Sequence, residues 1–128
     1  MRMLLLGVIM LGFCVGLAKE YVDITIGGKF IMRLRAGYGN LSLEERAQVI
    51  EERLVKLVGE PITAEQITLK EVRKGQLYEI HVRGQLLITV TPEDAKAAQM
   101  KVKQLAEHWL KQLRENLPPV SAQGAEAS

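Results

Sequence analysis

Two stretches of this chain carry one pattern at a constant spacing of 56 residues, and that repeat limits the available folds more than any other feature. Val22 through Leu34 lies over Tyr78 through Val90, with Gly28 falling on Gly84. In both stretches apolar residues take every second position on either side of a glycine-containing turn. That is the signature of a β-hairpin with one buried face. Hairpins share such patterning for physical reasons, so chance and duplication both account for the match; two hairpins are expected either way. Strict alternation places Phe30, Met32, Leu34, Ile80, Val82, Leu86, Ile88 and Val90 on the buried face. It turns Lys29, Ile31, Arg33, Arg35, Leu77, Glu79, His81, Leu87 and Thr89 outward.

Each hairpin leads into a helix. Ser42 and Glu45 form a capping box at the first start. Leu43, Ala47, Ile50, Leu54 and Leu57 then recur at helical spacing. Gly59 is expected to end this helix in the left-handed region, and Pro61 prevents its continuation. The second helix opens with Thr91 as cap and Pro92 in the first turn, and Glu93 and Asp94 favour the positive dipole end. Its stripe is Ala95, Ala98, Val102, Leu105, Trp109 and Leu113, and Pro118-Pro119 is expected to end it. A further alternating run from Ile67 to Val72 reaches the second hairpin through a turn at Arg73 to Gln76. The order is ββ-α-βββ-α. It predicts an α+β two-layer sandwich, an antiparallel sheet with two helices on one face. One domain over 19–120 is expected, with a mobile small-residue tail over 121–128.

Residues 1–18 read as an export segment. Arg2 gives a positive start, Leu4 to Leu17 is almost wholly apolar, and Gly16-Leu17-Ala18 ends in small residues at the cleavage positions. The run is short of a bilayer's hydrocarbon core. Cleavage after Ala18, leaving a periplasmic or extracellular protein, is the main expectation. An uncleaved anchor over residues 4–17 is one alternative, and it would supply the only membrane contact. Lipidation at Cys14 is another, although Phe13 is bulkier than a lipobox tolerates. Cys14 is the only cysteine, so the mature domain is expected to fold without disulfides.

No catalytic, cofactor or metal pattern emerges, and the expectation is a non-enzymatic protein; the alternative is an enzyme whose residues are scattered beyond recognition in the sequence. His81 and His108 belong to no cluster with metal-ligand spacing. Glu44-Glu45 and Glu51-Glu52 lie on a helix exterior, without the burial that shifts a carboxylate toward acid–base work. Gly27-Gly28 lacks the strand–loop–helix setting of a dinucleotide site. The balance of 17 basic and 15 acidic residues argues against nucleic-acid binding, which usually brings a large basic excess.

Two surfaces remain as candidates. An outer sheet face of Ile31, Leu77 and Leu87 with Arg33 and Arg35 fits an interaction with an envelope protein or a second copy. The loop Gly37, Tyr38, Gly39 and Asn40 stands just before the capped helix. It fits a small anion held at the helix start under Tyr38; the plain alternative is a connection with Tyr38 folded onto the core.

The segments Phe30 to Gly37, Ser42-Leu43-Glu44-Glu45-Arg46-Ala47 and Val90-Thr91-Pro92-Glu93-Asp94-Ala95 carry a resemblance to a known family. Across roughly residues 22–117 the chain resembles the amino-terminal extracytoplasmic region of some cyanobacterial and related small-conductance mechanosensitive channels. Pore helices are missing from the sequence. The resemblance therefore implies an accessory or sensory role in the envelope, without channel activity and without catalytic residues to transfer.

Overall fold

The two alternating stretches form two antiparallel hairpins in the computed structural model, which describes residues 20–127 and side chains from 20 to 122. The expected export segment, Cys14 included, lies outside the described residues. β1 (Val22–Ile26) pairs with β2 (Lys29–Leu34), and β4 (Leu77–Val82) with β5 (Gln85–Val90). The registers correspond pair for pair: Asp23 faces Arg33 as Glu79 faces Thr89. Each hairpin turns on two residues in the left-handed region. Gly27 and Gly28 have φ of 59° and 77°, Arg83 and Gly84 of 51° and 78°. This is the turn whose twist matches the flanking strands. β3 (Ile67–Arg73) adds to the far side of β4, giving a two-stranded sheet, β1-β2, and a three-stranded one, β3-β4-β5.

Both hairpins also bulge at the same place. The register slips between Ile24 and Thr25 in the first and between Ile80 and His81 in the second, leaving Ile31 and Leu87 as the extra residues. One inserted residue resets the period-two phase. Ile31 and Met32 are therefore both buried, as are Leu87 and Ile88, whereas Phe30 and Leu86 turn out to 43% and 37% exposure. This reverses the expected facing of Phe30, Ile31, Leu86 and Leu87. Met32, Leu34, Ile80, Val82, Ile88 and Val90 are buried as alternation predicts.

α1 (Leu43–Leu57) begins with the expected capping box, and Ala47, Ile50, Leu54 and Leu57 are its buried stripe. Its end differs from expectation. Val58 closes it in the right-handed region, and Gly59 is not among the residues with positive φ. Arg83 supplies the cap instead, donating from Nη2 to the Leu57 carbonyl at 2.8 Å.

The expected second helix is two: α2 (Pro92–Ala98) and α3 (Val102–Ala127). Gln99 sits at φ 57°, and the amides of Gln99 and Met100 bond back to the carbonyls of Lys96 and Ala95. That is a Schellman ending built on a residue other than glycine, which the sequence does not advertise. α3 runs through Pro118 and Pro119 instead of stopping there. Each proline removes an intrahelical hydrogen bond, but tertiary contacts hold the next turn. Leu117 and Val120 are buried, and the fully buried Ser121 hydroxyl accepts from the Ile62 amide at 2.8 Å. Ser121, expected to open a mobile tail, is part of the fold.

α1 packs on β1 and β5, and α3 on β2, β3 and β4. Each long helix therefore bridges the two hairpins, giving the α+β packing of helices on strands. The buried stripes correspond too: Ala47, Ile50 and Leu54 match Ala106, Trp109 and Leu113 at a spacing of 59. Hairpin and long helix each occur twice in corresponding form, and the helix of one unit lies beside an edge strand of the other.

Candidate functional site

The outer face expected from Ile31, Leu77, Leu87, Arg33 and Arg35 does not exist as a surface. Ile31 and Leu87 are 0% exposed because the bulges swing them inward. Leu77 is half-buried and Arg35 exposed. Arg33 is held in place, donating from Nε and Nη2 to the Asp23 carboxylate at 2.7 and 3.2 Å, with its guanidinium 3.8 Å from the Tyr21 ring centre. The hydrogen bond from Arg33 holds the Asp23 carboxyl below its usual range, and the same bond raises Arg33.

What the repeated arrangement creates is a pair of strand–helix grooves. The first, about 300 Å³, lies between β2 and α3, with Phe30 and Arg33 on the strand side and Leu105, Trp109 and Gln112 on the helix side. The second, about 240 Å³, lies between β5 and α1, with Leu86 and Thr89 facing Arg46, Ile50 and Arg53. These lining positions correspond one to one under the strand spacing and the helix spacing. Met100, 41% exposed at the mouth of the first groove, corresponds to Leu41, 36% exposed at the mouth of the second.

The two grooves differ in their arginines. An edge strand presents a row of backbone groups that no neighbouring strand satisfies. On β5 two of these are capped. Arg46 Nη2 donates to the Thr89 carbonyl at 2.7 Å, and Arg53 Nη1 to the Leu87 carbonyl at 2.9 Å. Arg46 is also the buried junction of the fold. It grips Asp94 at two points, 2.6 and 2.9 Å, and donates to the Ala36 carbonyl at 2.8 Å. Arg46 and Asp94 are 4% and 2% exposed. Asp94 accepts in turn from the amide and hydroxyl of Thr91. A buried pair needs this full set of partners to offset its desolvation, and among the described residues no buried side-chain polar atom lacks one.

On β2 the corresponding carbonyls are those of Ile31 and Arg33, and the corresponding helix residues are Leu105 and Gln112. Among the described residues no side chain caps those carbonyls, and no strand pairs with that edge. The groove there is walled by exposed Phe30 and Met100 over a buried Trp109 floor. Lys29 and Arg35 are exposed along the same strand, and His108 is exposed on the facing helix.

The Gly37–Asn40 loop borders the second groove. Tyr38 is 45% exposed, so it is not folded onto the core. Its ring centre lies 5.5 Å from the Arg46 guanidinium. Tyr38 and Leu41 exchange backbone hydrogen bonds, and a Cβ on Gly37 would collide with the Leu41 carbonyl oxygen. Two of the donors an anion would seek, the Ser42 and Glu45 amides, are occupied. Glu45 Oε1 accepts from the Ser42 amide at 2.9 Å, and Ser42 Oγ accepts from the Glu45 amide. The backbone bond from Ser42 also holds Glu45 below its usual range. His81 Nε2 contacts Glu79 at 2.9 Å on the half-buried outer sheet face.

The residues that organise this region were visible only as motif members. Arg46 sits three residues after Leu43 and four before Ile50, on the apolar stripe itself, which is the one available hint that it is buried. Asp94 occupies the third helical position after the Thr91 cap.

In comparison with known proteins, the family described as "Domain of unknown function (DUF8459)" matches residues 23–118. No curated protein and no solved structure matches the chain.

Proposed function

We propose that this chain, which belongs to the DUF8459 family, is a non-enzymatic binding module of the cell envelope that takes a protein partner into the groove between β2 and α3. The observation supporting this is the inequality of two grooves made from corresponding positions. The β5 groove spends its arginines on its own strand edge, while the β2 groove leaves that edge uncapped between exposed Phe30 and Met100. Exposed apolar walls beside cationic side chains have the make-up of an interface core and rim. The envelope address rests on the export pattern of residues 1–18. Attachment beside a membrane protein is the form of this role that the resemblance to channel-linked domains implies.

The test is site-specific photo-crosslinking in exporting cells. A photoreactive residue in place of Phe30 or Met100 should give a discrete adduct, and one in place of Leu86 or Leu41 should not. Adducts of equal yield from all four positions, or from Leu86 and Leu41 alone, would overturn this assignment.

The ligand-sensor alternative at Tyr38 has weaker physical support. Its anion would meet the Glu45 carboxylate already seated on the helix start.

A further inference from the structure

We infer that the partner is a second copy of this chain: the outer face of α1 on one molecule lies along the β2–α3 groove of the next. This rests on the groove reading above and names the occupant.

Three features converge on it. The first is what the groove offers. Ile31 is fully buried and α3 packs on β2, so a partner meets side chains here: exposed Phe30 and Met100, with Arg33, Arg35 and His108. A helix suits such a surface because its own backbone groups are already bonded internally. The second is charge. No Asp or Glu lines this groove, whereas Glu79 lines its counterpart beside β5. Asp23 neutralises Arg33 from the β1 side. Among the described residues Lys29 and Arg35 have no ion-pair partner. An acidic helix is the complement.

The third is that the chain itself carries such a helix face. Glu44, Gln48, Glu51, Glu52 and Val55 fall on one stripe of α1 at helical spacing. Glu44, Gln48 and Glu52 are exposed, and Val55, at 64%, is the most exposed large apolar side chain among the described residues. Among those residues none of the three glutamates is in an ion pair. Arg46 and Arg53, which reach β5, lie on the other side of the helix. The lengths agree: Glu44 to Val55 spans about 16 Å of helix, and Phe30 to Arg35 about 16 Å of strand. In the contact, Val55 seats against Phe30 and Met100, and the glutamates follow Lys29 and Arg35. α1 packs on β1 and β5, while the groove lies between β2 and α3. Stripe and groove are thus separate surfaces, and the contact is heterologous, running head to tail from copy to copy.

The experiment follows protein recovered from cells exporting the full chain by sedimentation across a concentration series. One helix stripe in one groove is a small contact of the weak class. The parent chain should therefore be monomeric when dilute and associate toward millimolar concentration. Arg35→Glu in the groove and Glu52→Lys on the stripe, both at exposed positions, should each weaken association at least about tenfold. An equimolar mixture of the two variants should associate again, because an intact stripe then meets an intact groove. A photoreactive residue in place of Phe30 should crosslink to the α1 segment of a second copy. A parent that stays monomeric at millimolar concentration would overturn self-assembly. So would a stripe variant that associates as the parent does, or a mixture that stays apart. If position 30 then still crosslinks to a different protein, the groove reading stands and only the identity of its occupant falls. Adducts from positions 86 and 41 alone would overturn both.

Discussion

The first hairpin and the second share register, turn geometry and bulge, yet one has a capped edge and the other does not. Backbone geometry follows the repeated alternation, so both copies of the hairpin fold alike. The edge chemistry instead follows single residues on the facing helix: Arg46 and Arg53 beside β5, Leu105 and Gln112 beside β2. A scaffold repeated in this way can thus cap one strand edge and leave its counterpart uncapped at the cost of two side chains.

The largest effect should come from breaking the capped side at its root. Asp94→Ala strands the Arg46 charge in the interior, and removing one member of a buried pair costs about 3–5 kcal/mol. Denaturant unfolding should register that loss. A change under about 1 kcal/mol would mean Arg46 finds solvent and the junction is not what holds the cap on this edge.

Next come the bulges, which distinguish the two hairpins' real faces from those implied by strict alternation. Ile31→Ala and Leu87→Ala should each cost about 2–5 kcal/mol. Phe30→Ala and Leu86→Ala, at partly exposed positions, should cost no more than about 1 kcal/mol. The reverse ranking in thermal or denaturant unfolding would return Ile31 and Leu87 to the surface and erase the correspondence of the bulges.

A smaller effect belongs to the first hairpin alone. Asp23 faces Arg33, and their hydrogen bond holds the Asp23 carboxyl below its usual range. A lowered folded-state value stabilises the fold above the unfolded-state value and is lost as pH falls through the folded one. Stability from this pair should therefore fade below about pH 4. The Tm gap between the parent chain and Asp23→Asn should shrink between pH 5 and pH 2, values chosen to bracket the carboxylate range. A gap constant across that span would show that Asp23 contributes no charge-dependent stability. Glu71 adds to the same acid loss elsewhere, because the Tyr78 hydroxyl donating to it at 2.8 Å lowers it too.

Element type was legible where periodicity and caps agreed. The hairpin pattern, the Ser42–Glu45 box and the Thr91–Pro92 start all appear in the fold. Facing was not legible at Ile31 and Leu87, because a bulge is set by backbone pairing and leaves no mark in a period-two reading. The break at Gln99 was hidden because glycine is the usual signal for a left-handed cap. The passage of α3 through Pro118-Pro119 was hidden because its support comes from Ser121 and Ile62, 59 residues apart. The grooves needed two spacings at once, 56 for strands and 59 for helices, and the helix spacing shows only when Ala47, Ile50 and Leu54 are set against Ala106, Trp109 and Leu113 as buried neighbours.

Exchanging the arginine between the two helices probes the difference between the grooves most directly. In a chain carrying Arg53→Gln together with Gln112→Arg, the new side chain on α3 should cap the Ile31 carbonyl as Arg53 caps that of Leu87. Crosslinking from position 30 should then fall well below its parent yield, with the fold retained. An undiminished adduct from position 30, in a folded chain whose new arginine occupies that carbonyl, would contradict the claim that the groove beside the uncapped β2 edge is what binds.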